Sequence, residues 1–417
     1  LGKNKMSSIR NKLKADVLII GAGPSGALAA SFLRQAGHSV CIFERSTFPR
    51  FSIGESLLPQ SMVFFQRAGV LPKINAARFQ RKTGAAFQYG NKHSRINFSN
   101  KFTDGPAETF EVQRADFDKI LADHAESLGA EIHYEHTVTS YEENAEGVML
   151  KGNNAQGIPY EARGKFVLDA GGYGRVLPRL LNLEKPSDFP VRKAIFSHIK
   201  DNISHPAFDR EKILITIHAD NPTIWYWLIP FSNGTSSIGV VGEEYEIDAA
   251  GLTDEERLTN LIRQDQHYQT IMPDFSFTRP VASLVGYSCG VKSLYGKNFA
   301  LLGNAGEFLD PVFSSGLTIA AKSADLAANV LLKQLAGQNV DWEKEFAAPL
   351  SVGINAFREF VESWYEGTLQ KVILEQPDDN SDVKKMIISM LAGYAWDENN
   401  AFVKKGKYFL NIVAKHL

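Results

Sequence analysis

The chain has 417 residues, 44% of them hydrophobic and 22% charged, with a formal net charge of −2. That length implies two or three domains rather than one core, and the charge balance offers no basic face to nucleic acid. Two cysteines, Cys41 and Cys289, cannot build a disulfide framework and fit a reducing compartment. Asp16 to Ile20 is an apolar, β-branched run that predicts a buried parallel strand. Pro24 to Ala36 then reads as a helix and Ser39 to Phe43 as the next strand, with Cys41 a small apolar residue inside it. A helix follows over Arg114 to Leu128 and a strand over Glu131 to Tyr134. Hairpin-like segments come next at Thr137 to Glu142, Gly147 to Lys151 and Phe166 to Asp169.

From Val191 to Tyr287 short strands alternate, among them Lys212 to His218, Ile224 to Ile229 and Ser237 to Val241, which predicts a mostly antiparallel sheet. Asn298 to Leu302 reads as a strand returning to the first domain, followed by a long helix from Ser315 to Leu335. The tail has helical periodicity. In it Trp364, Tyr365, Tyr394 and Trp396 either close a pocket or pack helices, and packing is the expectation. Phe402 to Leu417, with Lys404, Lys405, Lys407 and Lys415, is expected to be a solvated helix face, with a membrane or carrier surface as the alternative. The basic start, Leu1 to Lys14, lacks the apolar core of a signal peptide. Glycines and Pro24 interrupt Val17 to Leu33, so no transmembrane segment is expected there and the cytoplasm is the expected location.

Gly21-Ala22-Gly23-Pro24-Ser25-Gly26 follows the first strand and opens the first helix, as G-x-G-x-x-G requires. The first glycine permits the tight turn, the second lets backbone approach a pyrophosphate, and the third lets helix pack on strand. The helix N-terminus presents free amides and partial positive charge to phosphate. Glu44 ends the next strand, placed to accept hydrogen bonds from a ribose. An adenine dinucleotide is therefore expected. Leu168-Asp169-Ala170-Gly171-Gly172 puts small residues after an apolar strand. Leu301-Leu302-Gly303-Asn304-Ala305, with Asp310-Pro311 and Ser314-Ser315-Gly316, puts a second glycine turn before a second helix.

Those later segments resemble the D-x-G and G-D motifs of the flavin monooxygenase superfamily, and Arg114-Ala115-Asp116-Phe117-Asp118 resembles its R-x-x-F-D helix start. One departure is Asn304 where the family has aspartate; an amide keeps hydrogen-bonding capacity but loses the charge. Three more segments resemble bacterial flavin-dependent halogenases, especially those acting on phenols and pyrroles. These are Phe48 to Pro59 (FPRFSIGESLLP), Trp225 to Pro230 (a complete W-x-W-x-I-P) and Arg81 to Gly90, where Tyr89 replaces a frequent tryptophan. The resemblance runs from about residue 15 to 335 and weakens in the tail.

The resemblance implies an α/β chain, α+β overall. A Rossmann-like FAD-binding domain spans 10–180 and 290–340, with 76–112 partly in the substrate sheet. An inserted, mostly antiparallel substrate domain covers 181–289, and a helical C-terminal region 341–417. It implies FAD contacts at Gly21, Gly23, Pro24, Ser25, Gly26, Glu44, Arg45, Arg114, Val138, Ala170, Gly171, Asn304, Pro311, Gly316 and Leu317. Halide would sit at Ser315 and Gly316, while Trp225, Trp227 and Pro230 would wall the flavin pocket off from substrate; no metal is implied. Lys82 matches the family's active-site lysine, and Arg81 would lower its pKa if their heads converge. Alone, Lys82 would read as a solvated lysine and the tryptophans as sheet core. In the family, reduced FAD, oxygen and chloride or bromide give hypohalous acid, which meets an aromatic substrate, free or tethered to a carrier protein, beside the lysine. With no second G-x-G-x-x-G, a separate flavin reductase is expected to supply reduced FAD. The alternatives are a geranylgeranyl-reductase-like enzyme, whose related segment is Y-x-W-x-F-P, an aromatic monooxygenase, and a non-catalytic flavin-binding module.

Overall fold

The computed structural model describes residues 11–375 and 380–417; the first ten residues of the basic start lie outside them. Five strands form a parallel sheet in the order Phe299–Leu301, Phe166–Asp169, Val17–Ile20, Val40–Glu44 and Glu131–Tyr134. Helix Pro24–Gln35 packs on one face, with helices Ser315–Leu335 and Arg114–Ser127 against it. The other face, including Leu18, Ile20, Cys41 and Phe43, is covered by Val138, Val148, Leu150, Tyr160 and Ala162. These belong to a four-stranded sheet ordered Asn11–Lys14, Pro159–Gly164, Gly147–Asn154 and His136–Asn144. Both faces of the inner strands are thus apolar, and that is why Val17–Ile20 and residues 40–43 read as unbroken hydrophobic runs, whereas the edge strand Glu131–Tyr134 is only part-buried.

Phe166–Asp169 was expected as part of a hairpin and is instead the strand between Val17–Ile20 and Phe299–Leu301, parallel to both. All four of its residues are buried, so the sequence carries no period-two signal for which face is covered. The hairpin expected at Thr137 to Lys151 is present, longer than read, as His136–Asn144 and Gly147–Asn154.

A second, seven-stranded sheet runs Ala282–Val285, Arg192–Lys200, Thr235–Glu243, Trp225–Pro230, Lys212–Ile217, Gly84–Tyr89 and Lys92–Asn97. Its pairings are antiparallel except Lys212–Ile217 with Gly84–Tyr89. One face (Ile195, Leu214, Tyr226, Leu228, Val240) packs on Leu258, Leu261 and Ile262 of helix Asp254–Gln264. The opposite face (Ile213, Ile215, Trp225, Trp227, Ile229) joins the main core. Helices Ala348–Tyr365, Thr368–Glu375, Asp382–Leu391 and Ala401–Lys415 complete that core, with Trp364, Tyr394 and Leu410 buried in it. Trp364, Tyr394 and Trp396 therefore pack into the core, as expected, whereas Tyr365 reaches across to Trp225 of the seven-stranded sheet. Lys404 and Lys405 are exposed, whereas Lys407 pairs with Glu362 and Glu366. No helix among the described residues is long and apolar enough to cross a membrane.

Candidate active site

A cavity of about 550 Å³ lies between the parallel sheet and the core-facing side of the seven-stranded sheet, within the range of cofactor pockets. Its first wall is the turn after Val17–Ile20. Gly21 has φ +92°, and a Cβ there would approach Ala170 O to 2.5 Å, so turn and neighbouring loop touch backbone to backbone. Gly23 lines the cavity, and a Cβ there would meet only Arg50 Nη2, at 3.5 Å; the turn leaves a cradle instead of packed atoms. Gly26 does not line the cavity. A Cβ on it would collide with Gly21 O, which is the helix-on-strand packing role. Glu44 accepts from the amides of Ala22 (3.0 Å) and Ser46 (2.9 Å) and shares the rim with Arg45, His136 and Val138.

Beside that turn, Asp169 accepts from Gly171 N (2.9 Å) and Leu177 N (2.7 Å), holding Ala170 and Gly171 against the cavity. Burial pushes its carboxyl up to about 6, against the pull of those amides. Asn304, Pro311, Ser314, Gly316 and Leu317 line the wall where helix Ser315–Leu335 begins. Arg114, at the start of its helix, holds Asp118 two-pronged (Nε to Oδ1 2.7 Å, Nη2 to Oδ2 2.9 Å) and donates to Ile53 O at 2.7 Å. Arg50 also donates to Asp118, at 3.1 Å. The R-x-x-F-D residues thus pin segment 50–56 along the cavity, and Asp118 and Arg50 have structural tasks the motif alone did not assign.

Trp225 and Trp227 point into the cavity from alternate positions of one strand, ring centroids 6.0 Å apart, with Ile213 and Ile229 beside them. Pro230 does not line it. Strand alternation turns Pro230, like Tyr226 and Leu228, to the other face, so the third wall residue is Ile229. Ser315 is likewise buried outside the lining, and Ser314 and Gly316 form the surface there. Trp225 Nε1 donates to Tyr365 Oη (2.9 Å), and Tyr365 donates to Asp310 Oδ2 (2.9 Å). The Arg192 guanidinium stacks 3.4 Å above the Tyr365 ring. Burial pushes Asp310 up to about 6, opposed by Arg192, the Val312 amide, Tyr365 and Tyr287. This network ties a tail helix to the cavity wall, and its members are 140 and 55 residues apart in sequence.

Lys82 does not line the cavity. It lies one layer behind, 1% exposed, with Nζ donating to Ser56 Oγ (2.7 Å) and Leu57 O (2.8 Å). Ser56 and Glu55 do line the cavity. Burial lowers the Lys82 pKa. Arg81 is not the cause: strand alternation sends it outward, to ion pairs with Glu108 and Glu211. Glu55, within the Phe48–Pro59 segment, is in no helix and is hydrogen-bonded to His198 Nε2 at 2.7 Å. That contact spans 143 residues, and the sequence holds no signal for it.

A glycine turn at a helix N-terminus, an acid at the end of the next strand and a second glycine turn at a second helix fit the pyrophosphate, ribose and ring of a flavin dinucleotide. Fold and site together define an FAD-dependent oxidoreductase with FAD as its cofactor. The chain belongs to the FAD binding domain family, whose model matches residues 14–342. It is 29% identical over 399 residues to the 1H-pyrrole-2-carbonyl-[peptidyl-carrier protein] chlorinase of Pseudomonas fluorescens, covering 89% of this chain and 88% of the relative. A flavoprotein/dehydrogenase structure from Cytophaga hutchinsonii superposes with TM-score 0.93 at 42% identity, covering 97% of this chain and 98% of that one. The flavin-dependent brominase Bmp2 gives TM-score 0.83 at 25% identity over 97% of this chain and 100% of its own. The geranylgeranyl-reductase reading finds no support among these relatives.

Proposed function

We propose that the chain is a halogenase that uses reduced FAD, oxygen and chloride or bromide to halogenate an electron-rich aromatic or pyrrole substrate, free or carrier-tethered. The observation that supports this reading is the cavity lined by both the dinucleotide turn and the Trp225/Trp227 pair, with Lys82 held directly behind its lining residue Ser56. Reduced FAD with oxygen supplies the two-electron oxidant that converts halide to hypohalous acid. In this reading Gly21, Gly23, Pro24 and Ser25 cradle the pyrophosphate, Glu44 takes the ribose hydroxyls, and Arg45 and Val138 flank the adenosine. Ala170, Gly171, Arg114, Asn304, Pro311 and Leu317 border the flavin. Halide sits at the Ser314–Gly316 turn, where backbone amides open a helix. Trp225, Trp227 and Ile229 exclude substrate from the flavin, and Lys82 acts on the hypohalous acid beyond the Ser56 wall. A separate reductase supplies reduced FAD, and the cytoplasm is the place of work.

The test is to supply the enzyme with reduced FAD in air, a reporter phenol and each halide in turn. Product carrying the bromine or chlorine isotope pattern, absent without halide, supports the reading. Hydroxylated product formed equally without halide would replace it with a monooxygenase. Anaerobic saturation of a polyprenyl substrate without any halogenation would replace it with a reductase.

A further inference from the structure

At the cavity wall and just behind it, four polar side chains meet almost without solvent: the lining residues Glu55 (1% exposed) and Ser56 (5%), and behind them Lys82 (1%) and Glu111 (0%). Backbone pairing places them there. Strands Gln80–Lys82 and Thr109–Glu111 run antiparallel, Gln80 opposite Glu111 and Lys82 opposite Thr109. Ser56 bridges to Glu111 on its other side, fixed by Leu57 N to Phe110 O (3.1 Å) and Val112 N to Glu55 O (2.7 Å). Lys82 and Glu111 are diagonal neighbours on one face of this small ladder, and Ser56 is beside both.

The hydrogen-bond inventory of this cluster is incomplete in an informative way. Lys82 Nζ has two acceptors, which an ammonium would exceed by one N–H and a neutral amine would satisfy with its lone pair left over. Among the described residues no hydrogen bond of good geometry reaches either Glu111 oxygen, and the Ser56 hydroxyl is the donor placed to serve them. The Ser56 hydroxyl accepts from Lys82 and so keeps its own proton to turn toward Glu111. An ionised carboxylate sealed away with so few donors is costly, and so is a sealed ammonium. One proton moved from nitrogen to oxygen removes both charges.

We propose that Glu111 is a positioning residue for Lys82, exchanging a proton with it beside the Ser56 hydroxyl and so setting whether the lysine head is an ammonium donor or a neutral amine. The exchange is Lys82-NH₃⁺ with Glu111-COO⁻ going to Lys82-NH₂ with Glu111-COOH, with no change in net charge or oxidation state. Burial drives both groups the same way: it lowers Lys82 and raises Glu111 to about 7, while their mutual attraction opposes it. The other charges facing the pair are few. Glu55 faces Glu111 and is bonded to His198, with Arg114 and Arg279 beyond it. The Phe98 ring is 5.6 Å from Lys82 Nζ, and Arg81 points away. The use made of Lys82 rests on the halogenase reading, whereas the proton sharing does not.

The test follows the Lys82 side chain directly, by ¹³Cε-lysine NMR titration of the FAD-bound protein, its resonance assigned by absence in Lys82→Met. Glu111→Gln removes the charge that favours the ammonium, so the Lys82 midpoint should fall by about one pH unit or more. Arg81→Gln should leave it in place. The halogenation pH profile should move with the midpoint in Glu111→Gln. Independently, Lys82→Met strands a buried acid, so the Lys82→Met/Glu111→Gln double variant should melt higher than Lys82→Met above pH about 7. That comparison does not need Glu111→Gln to fold by itself. An unmoved Lys82 midpoint, or equal melting of the single and double variants, would overturn the proposal. A shifted midpoint in a protein that halogenates nothing would keep the pair and sink the proposed function.

Discussion

Tyr365→Phe removes one hydroxyl from the network that joins the tail helix to the cavity. That hydroxyl accepts the Trp225 indole N–H and donates to Asp310, both at 2.9 Å. Trp225 (1% exposed) and Asp310 (0%) are buried, so neither regains its partner from water. An orphaned buried donor costs about 1–3 kcal/mol, and a lost hydrogen bond to a charged or polar acceptor about 1–2 kcal/mol. Asp310 keeps the Val312 amide (3.0 Å) and the Tyr287 hydroxyl (3.4 Å), so its share falls at the low end. The phenyl ring under Arg192 is retained. The sum is about 2–4 kcal/mol of stability. Urea unfolding of the FAD-bound protein should show it as a lower midpoint with an unchanged m-value. Because Trp225 lines the cavity, FAD dissociation should also be faster. A change under about 0.5 kcal/mol, the ordinary scatter for a surface substitution, would refute the claim that this hydroxyl holds the wall.

Two further outcomes follow from the same geometry. Asp310 is raised from 3.8 to about 6 by burial, so in the fold it keeps its proton to higher pH than in the unfolded chain. Its contribution is therefore full below about pH 4 and lost as pH rises through about 6, about 3 kcal/mol in all. Asp310→Asn should gain on wild type by that order between pH 4 and 7 in chemical denaturation; a flat difference would refute the shift. Gly26→Ala places a Cβ onto Gly21 O and should cost about 1–3 kcal/mol and weaken FAD binding, as read by melting and flavin retention. Gly37→Ala, at φ +88° with nothing within 4 Å, should cost about 1 kcal/mol and leave FAD retention unchanged. Equal flavin loss in both would refute the packing argument.

The dinucleotide half of the site was legible because its signals are local. Val17–Ile20, the glycine turn and Glu44 lie within one βαβ unit, and all of them except Ala22 and Gly26 reach the cavity or end at it. Pro230 was misplaced although period-two alternation from Trp225 and Trp227 already points to Ile229. Phe166–Asp169 was misread because strands covered on both faces carry no alternation. The deeper layer was not legible at all. Glu111 earns attention only when chain segments 56, 82 and 111 meet, and Tyr365 only when the tail helix docks on Trp225. Such contacts depend on how the sheets pack, which local pattern does not encode. Lys82 was found through resemblance, and its seclusion behind Ser56 came only with the fold.

The central claim is that oxidant made beside the flavin is used at Lys82, behind a separate wall. The direct measurement compares wild type with Lys82→Ala, each given reduced FAD, oxygen and bromide, scoring brominated phenol by mass and free hypobromous acid with a scavenger dye. The account predicts that Lys82→Ala still retains FAD and still oxidises bromide, with the dye capturing the oxidant, while brominated phenol disappears. Undiminished phenol bromination by Lys82→Ala would contradict it.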